Sequence, residues 1–107
     1  MKINLGIIGC GNQFRKVYFR VVEELLNQKK IKSLIIYSRD LNKIYDIKDK
    51  LKCNITDNLN EILDNSNINF LILSVPLALR NEILLKKKFD NKIILTEPPI
   101  GNNLSNF

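Results

Sequence analysis

The chain has 107 residues, 45% of them hydrophobic and 26% charged, and carries a net charge of +6 from 17 Lys and Arg against 11 Asp and Glu. This composition fits one soluble globular domain with a single core, and no run of about 18 apolar residues is present to span a membrane. The chain contains no histidine, which excludes an imidazole general base, Ser/His and Cys/His nucleophile pairs, and the commonest transition-metal ligand.

The N-terminus passes from Lys2 directly into an apolar run without a small-residue cleavage site, so no signal peptide is expected and a cytoplasmic location is. Ile3 to Ile8 ends in glycine and predicts a buried strand. From Phe14, the positions Phe14, Val17, Tyr18, Val21, Val22 and Leu25 recur at helical spacing, with Arg15, Lys16, Glu23 and Glu24 opposite them. Leu34 to Tyr37 predicts a second strand, and Leu41, Ile44, Ile47 and Leu51 a second helix capped by Asp40. Ile55 marks a brief third strand, and Asp57 or Asn58 can cap a short helix carrying Leu59, Ile62 and Leu63. Asn69 to Val75 is a fourth, nearly unbroken apolar strand. "LALRNEILLKKKF" predicts a helix opened by Pro76, and Lys92 to Thr96 a fifth strand closed by Pro98 and Pro99.

Strands alternating with helices imply a parallel sheet covered on both faces by right-handed crossovers, an α/β doubly wound, Rossmann-like domain over residues 1–107. The basic residues are scattered, and Lys86, Lys87 and Lys88 fall at the expected end of a helix, where they complement its dipole; no nucleic-acid surface is expected. Cys10 and Cys53 lie in no metal spacing and read as free thiols, and no metal site is expected. Tyr18 and Tyr45 fall on apolar helix faces and are expected in the core.

The turn "GIIGCGNQF" carries the strongest functional signal. In a dinucleotide-binding turn the first glycine permits the bend after the strand, and the second lets the backbone approach a pyrophosphate lying on the next helix's N-terminus. Gly9 and Gly11 occupy these places; the third glycine, which admits close helix packing, is replaced by Phe14. Strand, turn, amphipathic helix and second strand supply the context the motif requires. The candidate cofactor-binding turn is therefore Gly9, Gly11, Asn12, Gln13 and Phe14, with a plain glycine turn as the alternative. At the end of the second strand an acid normally holds the ribose hydroxyls of NAD, whereas an arginine can meet a 2′-phosphate. Ser38 and Arg39 stand there and favour NADP over NAD, although Asp40 follows one residue later, with a solvated loop arginine as the alternative reading of Arg39.

The order "GIIGCGNQF", "YSRD", "TDNLNEILDNSNINFLILSVP" and "ILTEPPIG" resembles the N-terminal domain of the Gfo/Idh/MocA oxidoreductases across essentially the whole chain. "CGNQFRKVYFR" is also similar to the start of the thiazolinyl imine reductases, which reduce an imine with NADPH. The resemblance implies an NAD(P)-binding domain in which Ser74, Val75 and Pro76 stand for the family's Ala-Thr-Pro and Glu97, Pro98 and Pro99 for its Glu-Lys-Pro. Ser74, Val75, Pro76 and Glu97 thus join the candidate cofactor contacts.

Two departures bear on activity. The family lysine that assists proton transfer beside the nicotinamide is replaced by Pro98, which can neither give nor take a proton, so no catalytic residue is expected. The resemblance also implies a second α/β domain that forms the substrate pocket in the family, and with the sequence ending at Phe107 that domain is expected to be absent. The expected function is that of a cofactor domain unable to turn over alone, working with a separate substrate domain; the alternative is a non-catalytic nucleotide-binding or interaction module. A methyltransferase-like domain is disfavoured, because Ser38 does not supply the acid such sites prefer. Without a second domain, Ile94, Ile100 and Leu104 are expected to be exposed and to promote self-association.

Overall fold

The computed structural model describes residues 3–9, 14–74 and 92–96. Strand β1 (Ile3–Ile8) is followed, beyond the glycine turn, by a π-helical turn (Phe14–Tyr18) that runs into helix α1 (Phe19–Asn27). Strand β2 (Ile31–Tyr37) leads through a 3-10 turn (Leu41–Lys43) to α2 (Tyr45–Leu51), and β3 (Asn54–Thr56), α3 (Asn60–Leu63), β4 (Phe70–Leu73) and β5 (Ile93–Thr96) complete the described elements. The five strands form one sheet in the order β3-β2-β1-β4-β5, and every pairing is parallel. The expected doubly wound architecture is therefore present.

Alternation along β1 determines what each sheet face receives. Leu5 and Ile7 point into a cluster with Phe14, Val22, Ile36, Ile44 and Ile47, which seats α1 and α2 on one face. Ile8 joins Ile62, Leu63, Ile68, Leu71 and Leu73 on the other, beneath α3. Gly6 lies on this second face, where a Cβ would stand 2.9 Å from Ile62 Cγ2. Its hydrogen is what lets a four-residue helix lie directly against the central strand.

Local chemistry explains the element boundaries. Asp40 accepts from the Asn42 amide at 3.0 Å, the expected cap, but it opens a 3-10 turn and not the helix itself. Ahead of the next short helix, Asn58 Oδ1 accepts from the Asn60 amide at 3.1 Å, one residue before the helix's N-cap at Leu59. After α1, Lys29 adopts φ 59°, and the Lys29 and Lys30 amides donate to Leu26 and Leu25 carbonyls, a Schellman ending built without glycine.

Several expectations need correction. The helix expected from Phe14 starts as a π turn, because Phe14 replaces the small residue of the motif and its ring is wholly buried between helix and sheet. Strand β2 starts at Ile31, not Leu34: the register slips between Ile3 and Asn4, so exposed Lys32 and Ser33 mask the strand's first half. Tyr45 is 47% exposed and does not belong to the core, whereas Tyr18 packs against it. Ile94 is half-buried against the α3 cluster and is not an exposed residue. The helix expected after Pro76, together with Ile100 and Leu104, lies outside the described residues.

The exposed apolar residues lie instead on the α1 face. Val17, Val21, Ile93 and Leu95 are 46%, 53%, 57% and 50% exposed, and a groove of about 280 Å³ runs between α1 and β4–β5, lined by Val17, Val21, Leu25, Phe70, Ile72 and Leu95 among others. Among the described residues, no helix covers β4 and β5 on the α1 face.

Candidate functional site

The chain proceeds outward from β1 to β2 and β3, then crosses back to β4 and β5 on the other side. Beside β1 the connections therefore part in opposite directions and leave a crevice at the carboxyl ends of the strands, where open α/β sheets take their ligands.

Three candidate residues meet at that edge because the ladder continues one residue past each strand. The Gly9 amide donates to the Tyr37 carbonyl at 3.3 Å, the Ser38 amide to Thr56 at 3.1 Å, and the Ser74 amide to Ile8 at 2.9 Å. Gly9, Ser38 and Ser74 thus follow the ends of β1, β2 and β4 on one rim. Gly9 adopts φ 96°, a conformation that L side chains rarely adopt, so the chain can turn here only because the residue is glycine.

The turn after β2 is tied down by its own side chains. Ser38 Oγ donates to the Asp40 carbonyl at 3.1 Å and accepts from the Asp40 amide at 3.3 Å. The Asp40 carboxylate caps Asn42 and so points along the following turn. Arg39 is exposed, and among the described residues it has no ion pair.

Phe14 occupies a different place. Its ring is buried, stacked with Tyr18 at 6.5 Å and edge-on to Phe19 at 6.4 Å, so it anchors the start of the helix in the core. Gly11, Asn12, Gln13, Val75, Pro76 and Glu97 lie outside the described residues, as does Cys10. Cys53 is free and half-buried, and burial pushes its thiol up to about 11. Among the described residues no three His, Cys, Asp or Glu side chains gather as a metal site, and no helix is long and apolar enough to cross a membrane.

One interaction beside the site has no local signal in the sequence. The Arg15 guanidinium makes a forked pair with Asp46, at 2.8 and 3.2 Å, and donates to the Lys43 carbonyl at 2.9 Å. Arg15 and Asp46 are 31 positions apart, so helical periodicity places each on a polar face without pairing them. The hydrogen bonds from Arg15 and its nearby positive charge hold the Asp46 carboxyl below its ordinary range.

A parallel sheet of this order, with a positive-φ glycine after its first strand and the switch point beside β1, defines a Rossmann-type nucleotide-binding domain. The chain belongs to the Gfo/Idh/MocA oxidoreductase family with an NAD-binding Rossmann fold, matching that family over residues 3–106. Among solved structures it is similar to KijD10, a 3-ketoreductase from Actinomadura kijaniata in complex with NADP and TDP-benzene, with 17% identity, a TM-score of 0.74, and coverage of 92% of this chain and 30% of that one. It is also similar to the WlbA dehydrogenase from Chromobacterium violaceum in complex with NADH and UDP-GlcNAcA, with 18% identity, a TM-score of 0.73, and coverage of 92% and 28%. GenD2 from gentamicin A biosynthesis, in complex with NAD, shares 19% identity at a TM-score of 0.71, with coverage of 92% and 27%. The chain thus spans less than a third of the length of these proteins. Comparison with curated proteins by sequence gives no match.

Proposed function

We propose that this chain is the cofactor domain of an oxidoreductase and that it takes NADP in preference to NAD. The observation that carries the reading is the division of labour in the turn after β2. Asp40, the one acid in that turn, has its Oδ1 engaged by the Asn42 amide, while Arg39 beside it is exposed and, among the described residues, without an ion pair. An arginine in that place suits a 2′-phosphate, which it meets with two parallel N–H donors. KijD10, WlbA and GenD2 were solved with NADP, NADH and NAD respectively, so the fold accommodates either dinucleotide and the choice rests on this turn.

The dinucleotide would lie across the carboxyl edge, with its pyrophosphate at the turn formed by Gly9, Gly11, Asn12, Gln13 and Phe14. Ser38 and Arg39 would take the adenosine ribose and its phosphate, and Ser74, Val75, Pro76 and Glu97 would lie on the nicotinamide side. The bound cofactor supplies hydride transfer; the chain's own residues bind and orient it. The apolar α1 face offers a separate substrate domain, or a second copy, a surface to cover. A non-catalytic nucleotide-binding module is the second reading, and Pro98 is the residue that favours it.

Calorimetric titration with NADPH and NADH tests the proposal. The expected result is tighter NADPH binding, with the preference lost in Arg39→Ala. Equal affinity for the two cofactors, or a preference that survives Arg39→Ala, overturns the assignment to NADP. No binding of either at millimolar concentration overturns the cofactor reading itself.

A further inference from the structure

We propose that Arg15 is a positioning residue that links the two turns on which the dinucleotide rests, so that its pair with Asp46 tunes the affinity for the whole cofactor without touching it. The inference rests on the nucleotide-binding reading above. Arg15 belongs to the π turn at Phe14–Tyr18, which directly follows the glycine turn. Its partners belong to the next unit of the fold: Lys43 closes the 3-10 turn Leu41–Lys43, and Asp46 lies in the first turn of α2. That 3-10 turn begins one residue after Ser38, Arg39 and Asp40. One guanidinium thus bridges the segment carrying the pyrophosphate turn and the segment carrying the ribose turn.

The geometry is more specific than a chance surface contact. Nη1 donates to Asp46 Oδ2 at 2.8 Å, and Nη2 donates to Oδ1 at 3.2 Å and to the Lys43 carbonyl at 2.9 Å. The fork fixes orientation as well as distance, and the third bond fixes the 3-10 turn through its backbone, where no side-chain motion can dissipate it. Beneath the pair, Phe14 from the π turn and Ile44 and Ile47 from the second segment share one buried cluster. The two segments are therefore joined twice, by packing below and by the guanidinium above. With side-chain exposures of 38% and 49%, the pair contributes little to global stability. What it can set is the relative placement of two loops that a single extended ligand must satisfy together, where a small misplacement reduces affinity.

The test separates ligands that span both turns from ligands that engage one. NADPH spans both, 2′-AMP reaches only the ribose turn, and inorganic pyrophosphate only the glycine turn. NADPH affinity is measured by calorimetry and the fragments by ligand-observed NMR, for the wild type, Arg15→Ala, Asp46→Ala and the double variant. Each single variant is expected to weaken NADPH about three- to fivefold, with the double variant no worse than either, while both fragments keep their affinity within about twofold. Arg15→Lys, which keeps the charge but loses the fork, is expected to recover less than half of the loss. Unchanged NADPH binding in the variants overturns the proposal, and so does an equal loss for NADPH and a fragment, which indicates damage to one turn and not to their spacing. A wild type that binds none of the three ligands overturns the nucleotide reading on which it rests, a result distinct from either of these.

Discussion

The backbone amide of Ser74 donates to the carbonyl of Ile8 at 2.9 Å, which brings the first residue beyond β4 alongside the first residue beyond β1. On the other side the Gly9 amide reaches the Tyr37 carbonyl at 3.3 Å. Gly9 is thereby held between two neighbouring strand ends before it turns away with φ 96°. The crevice edge is an extension of the sheet itself, and its geometry follows from parallel pairing in the order β2-β1-β4.

Gly9→Ala forces a Cβ into this conformation and is expected to destabilise the chain by about 1 to 2 kcal/mol. Urea unfolding followed by circular dichroism measures the change. An unchanged midpoint would show that the turn relaxes to negative φ without loss.

Gly6→Ala acts by a different route, since a Cβ there would stand 2.9 Å from Ile62 Cγ2 and 3.3 Å from Ile68 Cδ1 and Leu71 Cδ1. Ile62 is fully buried on a short helix and its branched carbon cannot swing away. Overpacking is expected to cost about 1 to 3 kcal/mol. The companion change Ile62→Val keeps Cγ2 equivalents at the β carbon and should give no relief, whereas Ile62→Ala should partly rescue Gly6→Ala in a double-mutant cycle.

The opposite sign is expected at Lys29, which holds φ 59° at the end of α1 while its amide and that of Lys30 satisfy the last carbonyls. Lys29→Gly removes the left-handed penalty while keeping the Schellman bonds, and a gain of about 0.5 to 1 kcal/mol is expected in thermal unfolding. A loss would mean that the glycine's added freedom in the unfolded chain outweighs the relief.

What the sequence disclosed was governed by range. The Asp40 and Asn58 side-chain bonds and the apolar runs of β1 and β4 depend on neighbours a few residues away, and β1 and β4 appear where composition puts them. The first half of β2 was hidden because the register slip leaves Lys32 and Ser33 exposed in mid-strand. Val17 and Val21 obey helical period yet face outward, since the topology places no described helix over β4 and β5 to receive them. Arg15 and Asp46 are joined across 31 positions by the fold, which places the π turn beside α2, and periodicity cannot register that. At the site, Gly9 and Ser38 were legible as strand ends, whereas Ser74 was expected inside a strand running to Val75 and instead follows β4, which ends at Leu73.

Cys53 carries a pH signature. Burial raises its thiol to about 11, so the folded chain holds this proton more tightly than the unfolded chain, where a thiol titrates near about 8.5. The associated stability is complete below the unfolded value and is lost as pH rises from there through the folded value. In a Cys10→Ser background, alkylation of Cys53 by iodoacetamide at pH 8 is expected to run roughly two orders of magnitude slower in the folded chain than in urea. Comparable rates in the two states would show that the thiol is not shielded.

The α1 face leads to the last expectation. Val17, Val21 and Leu95 expose apolar surface around one groove, Ile93 is exposed on β5, and β5 ends the described sheet. A contiguous apolar patch beside a strand edge favours association, and the chain by itself is expected to form dimers or larger species at micromolar concentration. Val21→Lys and Leu95→Lys place charge on the two walls of the groove at positions already in contact with water. They should therefore shift the chain toward monomer while moving the unfolding midpoint by no more than about 0.5 kcal/mol equivalent. Light scattering coupled to gel filtration reads the first effect and urea unfolding the second. A wild type that runs as a monodisperse monomer would show that the exposed valines and β5 do not suffice for association; a charged variant that also loses stability would show that Val21 and Leu95 help to hold the fold itself.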